Sequence, residues 1–189
     1  MLVLFQGDSI TDRGRDYNRG EDLGSGYPFL VANWFSALYP EKHVRFLNRG
    51  ISGNRVRDLE KRWKTDCLDL EPDVVSILIG INDCWRRYDR NDPTSVESFE
   101  QGYTNILTQV KEHLDARIVL IEPFLLPVLP GQESWREDLD PKIQVVRKLA
   151  REFGALFIPM DGLFGQAMTK REPAFWAAGG VHPTDPGHA

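Results

Sequence analysis

The sequence predicts an α/β protein, a three-layer α/β/α sandwich built on five parallel strands. Three observations predict it. Five short runs, at residues 2–6, 44–48, 74–79, 117–122 and 155–159, are apolar almost throughout, as strands covered on both faces are. Between several of them, apolar residues recur at steps of three and four, the pattern of a helix with one buried face. Strands and helices then alternate along the whole chain under one plan, with no internal repeat, low-complexity tract or linker, and that alternation is how parallel sheets are connected.

The first strand begins at once with Leu2-Val3-Leu4-Phe5-Gln6. With Gly7 this run looks somewhat like a protease-cleavage scar from an expression tag, but it leads straight into chemistry-bearing residues and reads as a buried strand. Residues 12–26, rich in glycine and charge, are long for a connection, and long loops are often functional. Trp34 and Trp63, at helical spacing with other apolar residues, are expected in the core. After the second strand, Asn54 is expected to cap a helix whose buried face is Val56, Leu59, Trp63 and Cys67, and Pro72-Asp73 separates it from the third strand. Phe99, Tyr103, Ile106, Val110 and Leu114 mark the next helix, and the fourth strand follows. Residues 123–141 carry four prolines and read as irregular; two roles stand open for them, covering a pocket or meeting a second copy in a homo-oligomer. Ile143, Val146, Ala150 and Phe153 define a last helix before the fifth strand. The strand order expected is 2-1-3-4-5, that of flavodoxin-like sheets.

At 189 residues the chain has the size of one domain, spanning 1–189. A domain of this length buries roughly 70% of its unfolded surface and needs neither metal nor disulfide to hold a core. Cys67 and Cys84 are too few for a disulfide framework and lack zinc-binding spacing, so no metal is expected and a reducing, cytoplasmic setting fits best. The net charge of −5, with basic residues scattered, argues against a nucleic-acid or anionic-membrane partner. No apolar run approaches the roughly 20 residues that span a bilayer, and the early first strand leaves no room for a signal peptide. Gly24-Ser25-Gly26 hints at a dinucleotide fingerprint, but Phe29 occupies the third glycine's place, so no nucleotide cofactor is expected.

Ligands of open parallel sheets bind beyond the carboxyl ends of the strands. The first strand is followed by Gly7-Asp8-Ser9-Ile10-Thr11, the second by Asn48-Arg49-Gly50-Ile51-Ser52-Gly53-Asn54, the third by Gly80-Ile81-Asn82-Asp83; each reads as a polar, glycine-bearing turn. Gly180-Val181-His182-Pro183 lies past the fifth. Together they supply what acyl transfer needs: a hydroxyl nucleophile (Ser9), a general base (His182), and an oxyanion hole from the N–H groups of Ser9 and Gly53 and the Asn82 amide. Taken singly, Ser9 would more often be a helix N-cap and Asn82 a turn former; their combination reverses that judgement.

At these four blocks the sequence resembles the SGNH hydrolases, also called the GDSL family of esterases and lipases, over nearly its whole length. The resemblance implies a cofactor-independent ester hydrolase with Ser9 as nucleophile, Gly53 and Asn82 in the oxyanion hole and His182 as base. Residues 54–59 and 82–89 look most like acetylxylan-esterase-type carbohydrate deacetylases, which implies an acetylated carbohydrate or another small ester as partner. A lysophospholipase or thioesterase of the same family is the alternative, favoured by a long apolar groove as a short polar pocket near Trp85 favours deacetylation. Relatives continue past Gly187-His188-Ala189 into a closing helix, without which apolar surface is expected to stand uncovered.

Family members carry an aspartate three residues before the histidine; here that position is Gly179. Three readings compete: a backbone carbonyl near Ala177 or Ala178 orients His182, a carboxylate such as Asp185 does so, or the chain is an impaired, non-catalytic carbohydrate-binding relative. Asp185, beyond Pro183, is the least favoured orienter. Asp8 and Asp83 read chiefly as loop-fixing residues, with Asp8 also a candidate substrate contact. Trp85 and Tyr88 are candidates for stacking on a sugar or for packing. Arg13, Arg15, Arg19, Arg86, Arg87 and Arg90 are read as solvated rather than as substrate guides, and His43, His113 and His188 are given no catalytic role.

Overall fold

The computed structural model describes all of residues 1–189. Strands β1 (Leu2–Gly7), β2 (Arg45–Asn48), β3 (Val74–Leu78), β4 (Arg117–Ile121) and β5 (Leu156–Ile158) form one sheet in the order β2-β1-β3-β4-β5. Every pairing is parallel. The chain steps from β1 to one side and then returns past it to the other. A crevice therefore opens between the ends of β1 and β3, where Gly7 stands opposite Leu78.

Nine helices cover the sheet: α1 (Ser9–Asp12), α2 (Tyr27–Leu38), α3 (Val56–Asp66), α4 (Ile81–Arg90), α5 (Val96–His113), α6 (Arg136–Glu152), α7 (Met160–Met168), α8 (Pro173–Trp176) and α9 (Asp185–His188). One core cluster packs Leu59 and Trp63 of α3, Phe99, Tyr103 and Ile106 of α5, and Val146 and Leu149 of α6 against Leu4, Val75, Ile77 and Leu120 of the sheet. The three helical faces read from spacing are those that are buried. A second cluster lies near the carboxyl ends of the strands and joins Ile10, Leu78, Ile121, Phe124 and Phe164. It forms the floor on which the polar residues of the crevice rest.

Several expectations are corrected. Trp34 is 68% exposed; α2 buries only Pro28 and Ala32 and turns Val31, Trp34 and Leu38 outward as well. Asn54 does not cap α3. Arg55 occupies the cap position, Asp58 accepts from its N–H in a capping box, and the Asn54 side chain accepts from Arg62 instead. Residues 80–83 are no simple turn, since α4 starts at Ile81, straight after Gly80. The irregular stretch after Pro123 ends earlier than expected. A 3-10 turn at Gln132–Trp135 leads into α6, with Pro141 inside that helix. That proline leaves the Glu137 carbonyl without its helical N–H partner, and it sits close enough to the amino end for the helix to form around it.

Candidate active site

The sheet delivers Ser9 to the crevice through a tight turn. Asp8, directly after β1, is the N-cap of α1; its Oδ1 accepts from the Ile10 N–H at 3.0 Å. Asp8 is fully buried and does not line the space beside Ser9, and burial pushes its carboxyl up to about 7. Ser9 is the first residue of α1, so its N–H has no intrahelical partner. Its Oγ lies 2.9 Å from His182 Nε2, a hydrogen bond that the hydroxyl donates when the ring proton is on Nδ1.

Two neighbours lock the loop at residues 50–54 against this turn. Asp12 of α1 accepts from the Ser52 hydroxyl at 2.6 Å and from the Ser52 N–H at 3.2 Å. Gly50 packs so closely that a Cβ there would lie 2.5 Å from the Asp12 nitrogen, so only glycine fits. On the other side, Asn82 Nδ2 donates to the Asn54 carbonyl at 3.1 Å, and the buried Asp83 carboxylate accepts from the Val56 N–H at 3.2 Å. Gly53 is thus held between α1 and α4 at φ +83°, and its N–H makes no bond within the protein. Arg86 fixes the orientation of the Asn82 amide by donating to its Oδ1 at 3.0 Å. With one amide hydrogen committed to Asn54, the other remains free to serve an incoming oxygen.

Burial pushes the Asp83 carboxyl from 3.8 up to about 7, against the opposing pull of the Val56 N–H. A raised carboxyl favours the protonated form in the fold. Its stabilising effect is complete below the unfolded value and is lost as pH climbs through the folded one. Compared with Asp83→Asn, the native protein is expected to lose melting temperature between about pH 4 and pH 7, which thermal scans across that range would show.

His182 is exposed, and its only hydrogen bond is to Ser9. Burial of part of the ring and the nearby Arg13 cation hold its pKa below the usual 6.5. The Trp85 ring stands edge-on to the imidazole, centroids 5.9 Å apart. Neither of the two replacement orienters is in place. The Ala177 carbonyl accepts from Gly180, and Asp185 is 90% exposed at its side chain and paired with Arg13 at 2.5 Å. A Cβ at Gly179 would meet nothing within 4 Å, so the position is empty of a carboxylate but open to one.

Tyr88 stacks on Trp135 with centroids 5.2 Å apart and donates to the Ser134 carbonyl, which is a packing role. Trp85 packs on Trp135 as well, but its contact with His182 puts it beside the site. Not all the loop arginines are solvated: Arg15 is buried and donates to the Gly50 carbonyl, while Arg13 and Arg86 bind site elements. His188, given no catalytic role from the sequence, is buried beside the site, and its Nδ1 accepts from the Tyr27 N–H at 3.2 Å. Burial holds it at about 4, so it stays neutral. Nothing in local spacing marks it, because its partner is 161 residues away. The space beside Ser9 and His182, about 720 Å³, is lined by Arg13, Ser25, Asp185 and His188. An adjoining apolar groove of about 200 Å³, sharing Ile10, Pro183 and His188 with that space, is lined by Tyr27, Ile121, Met160 and Phe164.

A hydroxyl bonded to an imidazole at the switch point of a parallel sheet, with unspent amide donors alongside, is the chemistry of an acyl-transferring hydrolase. The chain belongs to the GDSL-like lipase/acylhydrolase family, which it matches over residues 5–189. It is 38% identical over 194 residues to the acetylxylan esterase of Geobacillus stearothermophilus, an alignment covering 98% of this chain and 88% of that protein. The crystal structure of Axe2, an acetylxylan esterase from the same organism, superposes with a TM-score of 0.91 at 37% identity, covering 99% of this chain and 88% of that one. Catalytic mutants of Axe2 with a histidine or a serine changed to alanine match equally well. A GDSL-like lipase from Parabacteroides merdae gives a TM-score of 0.95 at 39% identity, covering 99% of this chain and 89% of that one.

Proposed function

We propose that the protein is a serine esterase that removes small acyl groups, chiefly acetyl, from carbohydrate esters through an acyl-enzyme. The observation that carries this reading is the 2.9 Å contact between Ser9 Oγ and His182 Nε2. Ser9 Oγ attacks the ester carbonyl carbon while its proton passes to His182. Negative charge develops on the former carbonyl oxygen, where the Ser9 and Gly53 N–H groups and the free Asn82 hydrogen receive it. Collapse breaks the bond to the alcohol, which leaves with the proton from His182. Water then attacks the acyl-enzyme with His182 as base, freeing the acid and restoring Ser9.

The substrate class rests on the similarity to a relative named as an acetylxylan esterase and on the polar side chains of Arg13, Ser25, Thr184 and Asp185 that line the space beside Ser9. Acetylated xylo-oligosaccharides are expected to be deacetylated, with acetate release tracking the enzyme. Finding turnover of p-nitrophenyl octanoate well above that of the acetate would favour a longer acyl chain lodged in the apolar groove instead.

The Asn82 amide is aimed by Arg86 and has no second protein acceptor to serve, so its loss falls on the transition state. Asn82→Ala is expected to lower kcat by roughly 10²- to 10³-fold with KM little changed. Steady-state kinetics on p-nitrophenyl acetate provide the check.

A further inference from the structure

Beyond the Ser9–His182 contact, one side chain bonds the loop that bears His182 directly to the nucleophile's turn. Arg13 is the residue immediately after α1; its N–H donates to the Ser9 carbonyl, and it holds a left-handed conformation at φ +30° that non-glycine residues avoid. Ser25 donates to the Arg13 carbonyl through both its N–H and its hydroxyl, pinning the backbone in that state. The guanidinium then forks: Nη1 donates to the Pro183 carbonyl at 2.6 Å and Nη2 to Asp185 at 2.5 Å. Pro183 is the residue next to His182.

The remaining ties of this loop run elsewhere. Ala177 and Pro183 form a β-bridge, Thr184 bonds the carbonyls of Phe175 and Trp176, and Gln132 donates to the Gly179 carbonyl. These, with the Leu126 N–H on the Gly180 carbonyl, fasten the loop to α8 or to residues 126–132, and the His188 bond to the Tyr27 N–H reaches α1 only indirectly, where the Tyr27 hydroxyl meets Thr11. Apart from the Ser9 contact itself, Arg13 makes the one direct hydrogen-bonded link between the residues flanking His182 and the nucleophile's turn.

We propose that Arg13 is a positioning residue for the reaction, clamping the Pro183 carbonyl and Asp185 so that His182 stays within reach of Ser9, a task usually shared with the carboxylate that Gly179 lacks. This rests on the esterase reading above. Planar, two-pronged donation is what arginine provides and lysine does not, since an ammonium presents one centre. The groups facing the imidazole are Ser9 and Arg13 from the nucleophile turn, Trp85 from α4, and Asp185 and His188 from α9.

The test is steady-state kinetics on p-nitrophenyl acetate, with pH profiles and melting temperatures, for Arg13→Ala and Arg13→Lys in both the native and the Gly179→Asp backgrounds. Arg13→Ala is expected to lower kcat by about 10²-fold, the cost of a misplacement near 1 Å, with KM little changed. Arg13→Lys recovers part of the loss. The acidic limb of kcat/KM moves to higher pH in Arg13→Ala, where the cation is gone, and stays in place in Arg13→Lys. Because a carboxylate at 179 shares the positioning task, the Arg13→Ala loss shrinks in the Gly179→Asp background. An unchanged kcat overturns the proposal, as does a loss that is equal in both backgrounds and unrelieved by lysine. Failure of the esterase reading shows separately, as hydrolysis that persists undiminished when Ser9→Ala is added to each arm, and takes the proposal with it.

Discussion

Gly179→Asp is expected to raise kcat on a simple acetyl ester by up to about 10⁴-fold, the factor by which a Ser-His-Asp site suffers when its acid is neutralised and the rest is kept. The carboxylate in such a site holds the imidazole in the tautomer that presents a bare Nε2 to the serine, and it stabilises the imidazolium that forms. Here His182 has Ser9 as its only hydrogen-bond partner, so nothing selects the Nδ1-protonated ring. The new side chain needs no room cleared, because a Cβ at 179 meets nothing within 4 Å. The pH profile carries a second signature. Partial burial and the Arg13 cation hold His182 below 6.5, and a facing carboxylate would raise it. The acidic limb of kcat/KM therefore lies below 6.5 in the native protein and moves upward in Gly179→Asp. A gain in kcat without that shift would separate better placement of the ring from electrostatic support of its charge.

Ser9→Ala gives the second large effect, and its size depends on residue 179. Groups of a triad act as a unit: losing the acid alone costs about 3 × 10⁴ in kcat, and losing the nucleophile or all three about 2 × 10⁶. With the acid already absent, Ser9→Ala is expected to cost only about 10²-fold in the native protein. In the Gly179→Asp background the same substitution should cost about 10⁶-fold. Rates of p-nitrophenyl acetate hydrolysis in the four proteins check both values. An equal loss in the two backgrounds would mean that Ser9 and the carboxylate do not cooperate.

Most of the fold was legible because its signals are local and redundant. The strands are short apolar runs between polar turns, and the helices α3, α5 and α6 bury the residues that their spacing marks. Ser9, Gly53, Asn82 and His182 were legible because each follows a strand or belongs to a compact block, and the structure brings Ser9 to His182 and fastens Asn82 to the loop of Gly53. What escaped depends on distant partners or on which side of a helix meets water. Trp34 has the spacing of a core residue, but α2 lies with Trp34, Val31 and Leu38 outward. Asn54 is a good cap in isolation, yet Asp58 and Asp83 supply the bonds at that helix end and free Asn54 for Arg62. Arg13 looked solvated, and His188 was given no role, because their partners, Pro183 and Tyr27, lie more than 150 residues away.

The most direct measurement is the intact mass of the native and Gly179→Asp proteins after treatment with a fluorophosphonate, followed by mapping of the modified residue. One adduct on Ser9, forming faster in Gly179→Asp, slowed by His182→Ala and absent from Ser9→Ala, is the expected result. An unlabelled Ser9 in both proteins, or an adduct that survives Ser9→Ala, would contradict the assignment of this hydroxyl and imidazole as the reacting pair.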